Sequence, residues 1–332
     1  MKDIEAEIGK LLFGYQPTCV LMTANQLKIF DQLADKPVTA ETVANSLKLS
    51  LKGVERLLNA LAGMEIVVKE GNLYHLPDDW KKYLTKNGEH CLQQWIELIT
   101  GHFSAWMDLP KFVRTGQNVR NIMEMLGSDP AKMEAFTDAM HDKGVKATWL
   151  MAREIPVGEA KHMLDVGGGP GTYSLEWAKL HNQLKATIFD IAPVLTITKK
   201  YIARYGLQDR VDTKPGDFHK DALGTGYDLV LLANVLHMYE EDLSKKLVRK
   251  AVDALVPGGR IIIHGLCTDD NDISPLNDVM FSLNMGLLTL GGRAHPVREK
   301  IRWLEESGVQ EIRHFRIGAV PTGVITGIKK RH

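Results

Sequence analysis

Cysteine is scarce in this chain: Cys19, Cys91 and Cys267 are the three among 332 residues, and no two share a CxxC spacing. That excludes a disulfide framework and a zinc-finger pattern, and it fits a reducing, cytoplasmic setting. A long apolar run is missing too. The best, YDLVLLANVL at residues 227–236, falls well short of the ~18 residues a membrane span needs. The opening MKDIEAEIGKLLFGYQ carries acids where a secretory signal needs a basic end, so no leader is expected. Nor is there an excess of either charge: 41 Lys and Arg balance 41 Asp and Glu. This argues against gripping a phosphate backbone or an anionic membrane, so neither nucleic acid nor membrane is an expected partner. What is present is an ordinary globular composition, 44% hydrophobic and 25% charged, long enough for about two domains.

The first half reads as helical almost throughout. Leu27, Ile29, Phe30 and Leu33 form an apolar stripe; Thr39, with Glu41 and Val43 behind it, opens a capped short helix. Ser50 opens another, with Val54, Leu57, Leu58 and Leu61 at helical spacing. EIVVKEGNLYHL then gives two β-prone runs around a Gly-Asn turn, a hairpin signal. Helices followed by a two-stranded wing predict a winged helix over residues 1–100. Such a domain invites a reading as a DNA-binding regulator. Its recognition helix, however, offers only Lys52 and Arg56 as cations, and residues 1–90 hold 11 basic against 12 acidic side chains. That leaves no electrostatic footprint for DNA. Its apolar stripes, with Leu11, Leu12 and Phe13 among them, suit a twin subunit better. Residues 101–155 add helices rich in Trp, Phe, Met and His, a candidate wall for a flat ligand, with Phe103 and Trp106 as lining residues.

From residue 156 to 332 strands and helices alternate, the signature of a parallel sheet covered on both faces. HMLDV, ATIFD, VDTKP, YDLVLLANV and RIIIHG read as buried strands. VQEIRHFRI and AVPTGVITGIKK follow so closely on one another that they must pair antiparallel. The first strand runs into DVGGGPG, with Asp165 before glycines at 167, 169 and 171. Glycines there let a cofactor approach the backbone. A dinucleotide fingerprint wants glycine at 172, where Thr172 stands, which disfavours nicotinamide or flavin. Asp190 ends the second strand, placed to take both ribose hydroxyls of an adenosine. Asp217 and Phe218 follow the third, an acid and an aromatic suited to adenine's amine and face.

The series DVGGGPG, FDIAP, PGDF, LLANVLHMYEED, PGGRIIIHG and GGRAH resembles the class I S-adenosylmethionine-dependent methyltransferases. More narrowly it is similar to the two-domain small-molecule O-methyltransferases, plant phenolic and acetylserotonin enzymes among them. The resemblance implies an α/β fold: a Rossmann-like sheet with a reversed final strand behind a mainly α winged-helix dimerisation domain, paired as a homodimer. It implies S-adenosyl-L-methionine as cofactor, with Gly167 and Gly169 near its methionine part, Asp190 at the ribose and Asp217 with Phe218 at the adenine. It makes His237, which ends the fourth strand, the general base that takes a proton from a small hydroxylated, aromatic acceptor. A following helix N-terminus would help keep that imidazole neutral.

The plant enzymes carry two further acids, and here the matching positions are Gly265 and Ala294, with His264 and His295 beside them. Asp278 is a substitute acid to consider, and Phe281 a pocket aromatic. A minority branch of the family holds a metal with active-site histidines and methylates the enolised carbon of an α-keto acid. In that alternative His237 and His295 would be the candidate ligands, with His264 as a third candidate.

Overall fold

The computed structural model describes residues 3–155, 157–317 and 322–331. It divides into two units, Met1–Gly101 and His102–His332. In the first, helix Ala40–Leu47 starts where the Thr39 hydroxyl accepts the Thr42 N–H at 3.2 Å, and helix Leu51–Gly63 starts where Ser50 caps Gly53. Strands Val68–Glu70 and Leu73–His75 pair antiparallel across Gly71, which takes φ 61°, and Val38–Thr39 adds a third strand. The expected winged helix is present, packed around Ile29, Phe30, Leu33, Leu58 and Leu61, all fully buried. Leu27 departs from the expected stripe: it ends the preceding helix, before left-handed Lys28, and is 38% exposed.

The second unit is a seven-stranded sheet. Its strands in chain order are β1 (His162–Val166), β2 (Lys185–Asp190), β3 (Val211–Pro215), β4 (Tyr227–Ala233), β5 (Leu255–Gly265), β6 (Val309–Arg316) and β7 (Gly323–Lys329). They lie in the order β3-β2-β1-β4-β5-β7-β6. The first five run parallel, and β7 enters antiparallel between β5 and β6. Strands buried on both faces need apolar side chains at every position, which is why β4 reads YDLVLLA without alternation. Leu229, Leu231 and Ile262 belong to the core on one face, Val230, Leu232 and Ile261 to that on the other. Among its helices are α1 (Gln93–Met107), which begins in the first unit, α2 (Pro130–Glu154), α3 (Thr172–Leu180), α4 (Ala192–Tyr205), α5 (Glu241–Ala254) and α6 (Leu276–Leu288). Pro156, where the sequence pattern changes, and residues 319–321 of the last expected strand lie outside the described residues.

Candidate active site

The loops at the carboxyl end of the parallel strands form the site. Gly167, Gly169 and Gly171 all take positive φ, between 54° and 79°, so the turn after β1 needs glycine at each. Gly168 needs it for another reason: a Cβ there would stand 2.8 Å from the Asp165 carboxyl and 2.9 Å from Ile188. Thr172 begins α3 and its hydroxyl meets His141 Nδ1 at 2.8 Å, a contact glycine could not make.

Asp190 closes β2 against this turn. Its carboxylate accepts the Gly169 N–H at 2.8 Å and the Ile191 N–H at 2.7 Å. Burial raises its pKa, and these two backbone donors oppose that rise. Asp165 is fully buried beneath the glycines and accepts the Ser174 hydroxyl at 2.8 Å, bracing the turn from inside. Burial pushes its carboxyl up to about 7. Phe218 lies 3.5 Å from the Cβ position of Gly167 and meets Tyr239 edge-on, ring centroids 5.7 Å apart. Burial pushes the Asp217 carboxyl upward, but the His219 N–H and the Lys220 ammonium hold it below its ordinary value.

His237 does not end β4 as its sequence suggests. The strand stops at Ala233, Asn234 turns out of the sheet with φ 54°, and His237 sits in a single 3-10 turn, Leu236–Met238. Both ends of that turn touch the glycine loop's surroundings: Val235 stands 3.0 Å from the Cβ position of Gly167, and Tyr239 packs on Phe218. The imidazole is half-buried, and neither ring nitrogen has a hydrogen-bond partner among the described residues. Its pKa is pushed down to about 3, first by desolvation and then by Lys300, His295 and His264.

Phe281 on α6 meets the His237 ring edge-on with centroids 4.8 Å apart. Trp106 on α1 donates its Nε1–H to Asn284 Oδ1 on α6 at 2.9 Å and packs in one cluster with Phe281 and Met238. Phe103, half-buried on the same helix, lies outside that cluster.

The remaining histidines and acids have other engagements. His295 is fully buried; its Nε2 donates to the Tyr239 carbonyl at 2.9 Å, which turns Nδ1 toward Glu299 at 3.5 Å. His264 bonds through both nitrogens, to Tyr173 and Thr322. Among the described residues no three His, Cys, Asp or Glu side chains converge as a metal-binding set, and His295 spends its Nε2 on the Tyr239 carbonyl and the Ser244 hydroxyl. Asp278 accepts the Cys267 N–H at 3.0 Å and pairs with Arg316 at 3.3 Å, which holds its carboxylate in the core.

Sequence reasoning missed Tyr173, Asn234 and Lys300. Lys300 is buried and donates to the Leu266 carbonyl at 2.9 Å. A lysine at helical spacing with Val297, Trp303 and Leu304 was the available signal for it.

Residues 106–309 match the O-methyltransferase domain and residues 10–84 the O-methyltransferase dimerisation domain, so the chain belongs to the O-methyltransferase family, whose methyl donor is S-adenosylmethionine. It is 26% identical over 324 residues to 3-hydroxy-5-methyl-1-naphthoate 3-O-methyltransferase of Streptomyces sahachiroi, covering 96% of this chain and 94% of that protein. It is 27% identical over 350 residues to L-tyrosine C(3)-methyltransferase of Streptomyces lavendulae, covering 98% and 93%. Human N-acetylserotonin methyltransferase, solved in complex with SAM, shares the fold, with a TM-score of 0.88 at 24% identity over 99% of both chains. The residues present fit the donor: a Cβ on Gly169 would meet no atom within 4 Å, so the turn is open there, with Asp190 and Phe218 at its sides. No helix among the described residues is long and apolar enough to cross a membrane.

Proposed function

We propose that this protein methylates a hydroxyl group of a small, flat, aromatic molecule, with His237 as general base. The observation that carries this reading is the His237 ring itself: neutral, unpartnered and set against Phe281, in the turn that adjoins the glycine loop. Gly167, Gly169, Asp190, Asp217 and Phe218 would hold S-adenosylmethionine, which supplies a methyl group already activated on a sulfonium. The protein's own task is then alignment and proton removal. Phe281 and Trp106 would line the acceptor's ring system, residues 102–155 supplying one wall. His237 would accept the hydroxyl proton on a free ring nitrogen as the acceptor oxygen takes the methyl. Engaged with Arg316, Asp278 would act by anchoring α6 and not by touching the acceptor.

The named activities of the relatives, on a hydroxynaphthoate and on tyrosine, support aromatic acceptors in general. A screen of hydroxynaphthoates, simple phenols and indoles, read by S-adenosylhomocysteine release, should find turnover among the hydroxylated aromatics, and NMR of the product should place the methyl on oxygen. Turnover confined to α-keto acids, with the new methyl on carbon, would refute this reading.

We further propose a cytoplasmic homodimer formed through the first unit. Ile4, Ile8, Leu11, Leu12 and Phe13 are each more than half exposed on helix Ile4–Phe13, and the dimerisation-domain match begins at residue 10. Light scattering at micromolar concentration should report about twice the 37.1 kDa chain mass. A monomer there would sink the idea.

A further inference from the structure

At the end of β4 the backbone leaves the sheet through Asn234, whose φ of 54° lies in the left-handed region. Asn, Asp and Gly adopt that conformation far more readily than other residues. The Asn234 N–H stays tied to the His264 carbonyl on β5 at 2.8 Å. The side chain reaches over the same strand, so that Oδ1 stands 3.3 Å from where a Cβ on Gly265 would be. Any side chain at 265 would crowd that oxygen; glycine leaves it room.

A buried polar chain sets the direction of the carboxamide. Nδ2 of Asn234 donates to the Tyr173 hydroxyl at 3.1 Å. The Tyr173 hydroxyl in turn meets Nδ1 of His264 at 3.0 Å, and Nε2 of the same ring meets the Thr322 hydroxyl at 2.6 Å. Tyr173 and His264 are buried, whereas Asn234 is exposed, and its Oδ1 has no hydrogen-bond partner among the described residues. The result is a fixed, neutral hydrogen-bond acceptor at the head of the turn that carries His237 three residues later.

We propose that Asn234 docks the acceptor: its clamped carboxamide takes a hydrogen bond from a hydroxyl or N–H that the acceptor carries beside the group being methylated. Tyr173 is then a positioning residue, acting through Asn234. The preferred acceptor class is an aromatic molecule with two adjacent polar groups, one of them a donor. This rests on the acceptor reading given above. A neutral amide oxygen selects a neutral donor without adding charge at the head of the turn that carries His237.

The test uses 2,3-dihydroxynaphthalene and 2-naphthol, which differ by one hydroxyl, titrated by calorimetry into the protein loaded with S-adenosylhomocysteine. The wild type should bind the diol about five- to tenfold more tightly, the usual worth of one added hydrogen bond. Asn234→Gly, which keeps the left-handed backbone, should erase that preference while holding S-adenosylhomocysteine affinity within about twofold, a check that it is folded. Asn234→Asp should keep a preference for the diol. Tyr173→Phe should fall between wild type and Asn234→Gly, and the double variant should be no worse than Asn234→Gly alone, because both act through one contact. A diol preference that survives in Asn234→Gly, or none in the wild type, would overturn the assignment and leave phenol methylation standing. If the wild type binds neither compound at millimolar concentration, the acceptor reading falls and this inference falls with it.

Discussion

His237→Gln is expected to slow methyl transfer by roughly 10²–10⁴, the range that general acid–base catalysis usually supplies. Glutamine keeps most of the size and polarity of the ring but has no basic nitrogen. The turn around it is held by Val235 and Tyr239, so S-adenosylhomocysteine affinity should stay within about twofold. The pH profile gives an independent check. Desolvation first, and then Lys300, His295 and His264, hold the His237 ring at about 3, so it stays neutral throughout the physiological range. The wild-type kcat should therefore show no limb near pH ~6.5, where free imidazole titrates.

His295→Asn separates a base from a metal. His295 holds the Tyr239 carbonyl and the Ser244 hydroxyl, so its loss should loosen the turn and lower stability, with a much smaller fall in kcat than His237→Gln. Chelators should have no effect on the wild type. An equal collapse of both variants, with chelated wild-type protein restored by a divalent ion, would replace the base by a metal. Unchanged turnover in His237→Gln would remove this histidine from the chemistry altogether.

How much could be read from the sequence differs by kind of feature. Strands β1, β2 and β4 were legible because burial demands apolar runs and their own residues supply them, whereas edge strand β3, expected to be buried, buries Val211 alone. The glycine turn and Asp190 were legible because the features they need, positive φ and a carboxylate at a strand end, are set by local residue type. Asp278 was a different case: an acid in the first turn of a helix, with nothing nearby to tell that Arg316, 38 residues on, would claim it. The Asn234–Tyr173–His264 chain joins partners 61 and 91 residues apart, and only the sheet order brings them together. His237 itself was placed one step wrong, on a strand instead of in a 3-10 turn. The apolar run LVLLANVL continues past the strand end, and left-handed backbone at one asparagine leaves no mark on hydrophobic pattern.

Asp190→Ala should weaken S-adenosylhomocysteine binding by on the order of 10- to 100-fold, since hydrogen bonds to a charged group are worth about 1.5–3 kcal/mol. Two effects add. The carboxylate holds the Gly169 and Ile191 N–H groups, so alanine frees the glycine turn, and it also removes the acid proposed to receive the ribose hydroxyls. Asp190→Asn distinguishes them. An amide oxygen can still accept the Gly169 N–H, so the turn should persist, while the charge is gone and the second oxygen has become a donor. Calorimetry should therefore rank affinities as wild type above Asp190→Asn above Asp190→Ala, with adenosine following the same order because it contains the ribose but not the methionine part. Wild-type affinity in Asp190→Ala would remove this residue from the site. A loss for S-adenosylhomocysteine but none for adenosine would move Asp190 from the ribose to the support of the turn alone. Tight NADH binding by the wild type would contradict the motif order itself, because Thr172 occupies the place of the third dinucleotide glycine and bonds to His141 instead.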